Sequence, residues 1–248
     1  MSHIAAEGKC HRGADLQHIL LVVSQIHGLD NNYGIPPTGG GMHMNSTTHH
    51  LGDIHGALHH LVSITGKGNM LWADTGLPFV KPSPNLPSPE AVTVYNGTCM
   101  LAGTNVSEGR GTTTPFTTVG APFVQPEALS DAMNSLHLPG LAFSPAFFTP
   151  FFGKYTGQVC RGVDIHVTNP RAVRAVSLGL YLLDALHTLC PGDFAFTPPP
   201  AGARWHIDLS TGNQDVREGK LTIPQILEKW QPDADTFRAG TVSCRLYD

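Results

Sequence analysis

The sequence predicts an α/β fold, with the regular part of the chain running from residue 70 to residue 248. Three observations carry this. The run Gly162-Val163-Asp164-Ile165-His166-Val167-Thr168 alternates apolar and polar residues, the period of a half-buried strand. Asn169-Pro170 follows as a helix start, and Val173, Val176, Leu180, Leu183 and Leu186 then form one apolar stripe over residues 171–189, stopped by Pro191-Gly192. Strand, cap and helix in succession make an α/β unit. The third observation is a break in composition near residue 70: ten of the fourteen histidines lie before it.

In chain order, residues 1–69 read as a His-rich N-terminal remnant, a poorly ordered extension or a stretch from an altered reading frame. Residues 16–26 suit a buried strand or short helix, and 31–41 are turn material. His55 and His59 share a helix face if that stretch is helical, with His50 and His60 nearby; imidazoles so spaced can bind zinc or copper. No carboxylate or cysteine completes such a site and no HExxH occurs, so neither metal nor other cofactor is expected. Beyond residue 80, Pro82, Pro84, Pro87 and Pro89 force an extended path that holds Ser83, Asn85 and Ser88, or serves as a stiff linker. Residues 90–95 begin a short helix or strand, Asn96-Gly97 turns, and 98–101 are a short apolar strand.

A helix is expected over 126–137, with Pro126 in its first turn and Leu129, Ala132, Met133 and Leu136 as its stripe. Residues 141–152 hold Phe143, Phe147, Phe148, Phe151 and Phe152, which read as core. Trp205 to Leu209 suits a short strand. Thr222 with Gln225 has the spacing of a capping box, a last short helix is expected near 235–239, and 243–247 form a terminal strand.

Net charge of −4 and the absence of a Lys/Arg cluster argue against nucleic acid as a partner. The five cysteines are scattered, with no C-x-x-C, and read as buried thiols. No apolar run approaches the roughly eighteen residues of a membrane span, and no export signal is legible in the chain as written.

The chemistry concentrates in Gly103-Thr104-Asn105-Val106-Ser107-Glu108-Gly109-Arg110-Gly111-Thr112-Thr113. Glycines allow tight turns and close approach, and the polar side chains between them can converge on a ligand. The plain alternative is a surface Glu108–Arg110 pair of little energetic worth. Lys154 and Tyr155, between Gly153 and Gly157, can donate to an anionic or hydroxylated ligand. Asp164 and His166 share one face of their strand, either as a reactive pair or as a solvated face.

Taken together, Asp74-Thr75-Gly76-Leu77-Pro78, Pro82-Ser83-Pro84-Asn85, the loop from Gly103 to Thr112, Lys154-Tyr155 and Gly162 to Thr168 resemble the NamZ-like exo-β-N-acetylmuramidase family, in spacing and order, over about residues 70–248. The resemblance implies a glycoside hydrolase that releases N-acetylmuramic acid from the non-reducing ends of peptidoglycan fragments, in a secreted or periplasmic setting. It implies a mixed-sheet α/β C-terminal domain of a two-domain family, with the cleft facing an N-terminal Rossmann-like part that is here shortened or degenerate. Family members carry Ser-Pro-Glu-His-Gly in that first part, where the resemblance locates a catalytic Glu. The nearest echo is Ser24-Gln25-Ile26-His27-Gly28, which lacks the acid. A non-catalytic sugar-binding fragment is therefore the alternative expectation.

Glycoside hydrolysis uses two carboxyl groups, about 5–5.5 Å apart for retention and about 6.5–9.5 Å for inversion. Under the resemblance the catalytic candidates are Glu108 and Asp164. Arg110 would grip the lactyl carboxylate of the sugar, since a guanidinium fork matches a carboxylate. Asn105, Ser107 and Thr112 would bind its hydroxyl or acetamido groups, with Asn85, Lys154, Tyr155 and His166 completing the substrate set. If residues 1–69 do not fold against it, apolar surface left on the domain would favour a homo-oligomer.

Overall fold

The computed structural model describes residues 71–242. The histidine-rich stretch with His50, His55, His59 and His60, the expected elements at 16–26 and 31–41, the Ser24–Gly28 echo and the terminal strand at 243–247 lie outside the described residues. Leu71–Ala234 form one compact unit, and the last turns of the final helix, from Asp235, are assigned to a second.

After a short 3-10 turn at Trp72–Thr75, helix α1 spans Pro89–Thr98. The Ser88 hydroxyl caps it by accepting from the Ala91 amide at 3.2 Å, and Pro89 occupies the first turn, where no amide hydrogen is needed. The helix therefore runs through the turn expected at Asn96-Gly97, and the strand expected at 98–101 is a 3-10 turn, Cys99–Gly103. Gly97 is helical because α1 crosses α3 (Ala175–Leu189) backbone to backbone. A Cβ on Gly97 would fall 1.8 Å from the Ala175 carbonyl oxygen, and one on Gly179 would fall 2.4 Å from the Gly97 oxygen. A local turn signal has been overridden by a tertiary need for two bare backbones.

Strands β1 (Thr118–Ala121), β2 (Leu141–Phe148) and β3 (Cys160–Val167) form a sheet in the order β1-β3-β2. Both pairings are antiparallel, so the α/β class holds while the mixed sheet does not. The parallel pairing that a mixed sheet requires needs a crossover, and here the two neighbours of β3 run against it. Val163 and Ile165 are buried and His166 is exposed, as the alternation predicts. Helix α2 (Pro126–Ser135) covers the sheet and is pinned to it by polar bonds. The Asn134 amide nitrogen and the Ser130 hydroxyl both donate to the Phe143 carbonyl, at 2.8 and 3.1 Å, and the Phe143 amide donates to Asn134 Oδ1 at 3.0 Å. Of the aromatics expected in the core only Phe143 is buried; Phe147, opposite Arg161 near the end of the β2–β3 ladder, is 63% exposed and Phe151 74%.

Helix α3 begins at Ala175 rather than 171. Asn169 spends its cap chemistry on a tight turn instead: its Oδ1 accepts from the Arg171 amide at 3.1 Å and its carbonyl from Ala172 at 3.0 Å. Leu178, Leu180, Leu182, Leu183 and Leu186 join Val119, Leu129, Met133, Phe143, Val163 and Ile165 in one core.

Trp205 to Leu209 is not a strand. Helix α4 runs from His206 to Thr211, stopped by Gly212 at φ 79°, and α5 spans Asp215–Glu218. Ile207 anchors α4 in the core, and Arg217 of α5 clamps it by a bidentate pair with Asp208 and by lying 5.0 Å over the Trp205 ring. The capping box at Thr222 and Gln225 is present at the start of α6 (Ile223–Gly240), which runs on through the separate helix expected at 235–239.

Candidate functional site

The loop from Gly103 to Thr113 is built as an addition to the sheet. Ser107 and Gly120 exchange backbone hydrogen bonds of 2.8 and 3.0 Å along the free side of β1. The Asn105 side chain closes the other flank, donating to the Asp193 carbonyl at 2.7 Å and accepting from the Ala195 amide at 2.9 Å. Thr104 is buried, donating to the Leu101 carbonyl at 2.8 Å and accepting from Val106 at 3.0 Å. Between these anchors the chain doubles back twice in the left-handed region, at Gly109 (φ 78°) and Gly111 (φ 82°). A Cβ there would fall 2.2 Å from the Thr118 oxygen and 2.3 Å from the Phe152 oxygen. The glycines thus serve close backbone approach within the fold.

Two residues outside the loop hold it in strained conformations of their own. Phe116 (φ 67°) is fully buried, and its amide donates to the Glu108 carbonyl at 2.7 Å. Tyr155 (φ 58°) donates its hydroxyl to the Asn105 carbonyl at 2.6 Å. Positive φ at bulky residues is uncommon and clusters where the surroundings over-determine the backbone, often at functional sites.

The charges converge at Glu108, which is 4% exposed. Lys154 Nζ lies 3.0 Å from Oε2, and its other two hydrogens go to the carbonyls of Leu101 (2.8 Å) and Val106 (2.7 Å), which exhausts the ammonium's donors. Burial pushes the Lys154 pKa down, and Glu108 opposes that shift. Arg110 Nε sits 3.4 Å from Glu108 Oε1 as an ion pair, without the alignment for a hydrogen bond. The guanidinium lies 5.3 Å over the Phe116 ring, and that ring packs edge-on against Tyr95 at 4.7 Å. Arg110 Nε is therefore buried with no acceptor, and the terminal nitrogens have none among the described residues. Two cations face one carboxylate, so the cluster carries one surplus positive charge.

The remaining predicted residues divide. Ser107 is buried and accepts from the Gly109 amide at 3.2 Å; Thr112 donates to the Gly109 carbonyl at 2.6 Å. Both shape the loop. Asp164 and His166 share a face of β3 as expected, yet each has a separate partner: Thr118 Oγ1 donates to Asp164 Oδ1, and His166 Nε2 lies 2.8 Å from the Ser144 hydroxyl. Neither bonds to Glu108, Arg110 or Lys154. Asn85 is buried in the Ser83–Leu86 turn, where its backbone N–H donates to Ser83 Oγ at 3.3 Å.

Sequence reasoning missed Tyr95, Cys99, Phe116 and His206. Burial raises the Tyr95 phenol to about 12 and the Cys99 thiol to about 11, so both are neutral under ordinary conditions. His206 heads α4 against the bare backbone of Gly103: a Cβ on Gly103 would stand 3.2 Å from His206 Nδ1. Partial burial and the charges of Lys154 and Arg110 hold its pKa below the usual imidazole range, against the pull of Glu108. Nothing local to Trp205-His206-Ile207 signals this placement.

The model of the family "Exo-beta-N-acetylmuramidase NamZ, C-terminal" matches residues 93–247. The chain is 46% identical over 174 residues to the peptidoglycan beta-N-acetylmuramidase NamZ of Bacillus subtilis strain 168, a match over 69% of this chain and 41% of that protein. It also resembles the crystal structure of a DUF1343 family protein from Bacteroides fragilis, with a TM-score of 0.66 and 27% identity, over 74% of this chain and 49% of that one. The chain thus spans less than half the length of either relative.

Proposed function

The chain belongs to the exo-β-N-acetylmuramidase NamZ family, matching its C-terminal part, and on that premise we propose that residues 71–234 hold the terminal N-acetylmuramic acid of a peptidoglycan fragment for a β-N-acetylmuramidase. The observation that carries this reading is Arg110: a guanidinium fixed between Glu108 and the Phe116 ring, with a buried Nε that has no acceptor and terminal nitrogens without a partner among the described residues. A planar cation fixed in this way matches a carboxylate in two-pronged fashion. N-acetylmuramic acid differs from N-acetylglucosamine by the lactyl group that carries such a carboxylate, so the surplus charge of the cluster gives a basis for choosing between them.

In this reading Glu108 positions Arg110 and Lys154, and Asn105, Ser107, Thr112 and Tyr155 act through loop shape. Asp164 is the candidate carboxylate for the bond-breaking step. A second reading, sugar binding without turnover, is favoured by one specific observation: both Glu108 oxygens face cations and the residue is almost wholly buried. That arrangement commits both carboxylate oxygens to cations and leaves neither facing a glycosidic oxygen.

The test is equilibrium binding of N-acetylmuramic acid and N-acetylglucosamine, beside turnover of a chromogenic β-N-acetylmuraminide. Preference for the muramic sugar that Arg110→Ala reduces at least about tenfold, and that Arg110→Lys does not restore, is the expected result. Equal affinity for the two sugars would overturn it. Binding without turnover selects the second reading; turnover abolished by Glu108→Gln, with binding intact, would return Glu108 to the chemistry.

A further inference from the structure

The cluster around Arg110 has a neighbour that the muramic-acid reading does not use. His206 stands at the first residue of α4, facing the 3-10 turn Cys99–Gly103. Its Nδ1 faces the position where any side chain on Gly103 would sit, and Ser210 Oγ lies 3.4 Å from that same nitrogen. Lys154 donates to the Leu101 carbonyl of the same turn, so imidazole and ammonium share one short piece of backbone. The ring is partly open to solvent, and Nε2 has no hydrogen-bond partner among the described residues. The charges facing it are Lys154, Glu108 and Arg110; Asp208 on its own helix is occupied by Arg217.

We propose that His206 is a further ligand-contacting residue of the Arg110 site, presenting Nε2–H to the anionic part of the sugar when the imidazole is protonated. This rests on the reading that Arg110 receives a carboxylate. With the site empty, the two cations outweigh Glu108 and the ring stays neutral near neutral pH. An arriving carboxylate cancels the surplus charge and supplies an acceptor, so the ring takes up a proton as the ligand binds. Binding and protonation are then linked: each favours the other to the same extent.

The experiment is calorimetric binding of N-acetylmuramic acid and N-acetylglucosamine to the full chain between about pH 5 and 8, for the wild type and for His206→Gln. The wild type should bind the muramic sugar about tenfold tighter at the acid end, the effect of one charge-assisted hydrogen bond, while N-acetylglucosamine shows no such slope. His206→Gln should lose the slope. Should that variant fail to fold, the titration of the His206 ring in the wild type, followed by NMR, gives the same answer: muramic acid moves it upward and N-acetylglucosamine does not. A slope retained in His206→Gln, or a ring titration indifferent to muramic acid, overturns the role of His206 and leaves the Arg110 reading standing. Failure of the wild type to bind either sugar at any pH overturns both.

Discussion

The loop around Arg110 and the outer face of β3 carry the same kinds of residue and end in opposite circumstances. Each offers a carboxylate, a basic group and hydroxyls within a few positions. On β3 the groups are satisfied pairwise: Thr118 serves Asp164, Ser144 serves His166, and His166 is exposed. In the loop the carboxylate is buried, two cations compete for it, and one of them is left with donors to spare. Polar content therefore does not distinguish the two. Burial combined with charge imbalance does, because an unmatched ion in a poorly solvated place gains most from a ligand that completes it.

If that contrast is right, removing a charge should cost far more in the loop than on the strand. Lys154→Met leaves Glu108 buried with Arg110 alone and removes the ammonium's bonds to the Leu101 and Val106 carbonyls, of which Leu101 keeps Thr104 as a donor. It should lower the unfolding free energy by about 3–5 kcal/mol, read from urea denaturation. Gly109→Ala comes next, at about 2–3 kcal/mol, from a left-handed backbone and a methyl driven into the Thr118 carbonyl. On β3, Asp164→Asn keeps an acceptor for Thr118 and should change stability by less than about 1 kcal/mol. Equal losses for Lys154→Met and Asp164→Asn would dissolve the distinction between the regions.

The smallest effect lies in pH. The His206 pKa is lowered in the fold from an ordinary value of 6.5, so between the two values the unfolded chain binds the proton and the folded one does not. Stability should rise with pH across that window and fall away as the pH drops through it. His206→Gln should remove this component from a series of melting temperatures. An unchanged series would mean that the ring titrates alike in both states.

Much of the fold was legible. The β3 alternation, the Pro126 helix and the Thr222–Gln225 capping box depend on contacts within a few residues and appear where the sequence puts them. The misses share a cause. Gly97 reads locally as a turn, but the crossing of α1 with α3 needs it inside a helix. Trp205 to Leu209 alternates like a strand, but the Arg217–Asp208 clamp and burial of Ile207 make it helical. Asn169 does carry cap chemistry, and a turn uses it before the helix begins.

For the loop, the inventory is legible from the residues alone: a glycine-framed stretch with Glu108 and Arg110, a Lys154–Tyr155 pair between glycines, and the family that these motifs identify. It is legible because spacing, turn chemistry and glycine placement act over a few residues of backbone. Which groups meet depends on folding. Lys154 reaches Glu108 across 46 positions, Asn105 is clamped to a segment 88 and 90 positions away, and His206 arrives from a separate helix. Electrostatic balance is a sum over neighbours in space. The surplus charge at Arg110, on which the proposed function depends, therefore exists only once distant parts of the chain have folded around one carboxylate.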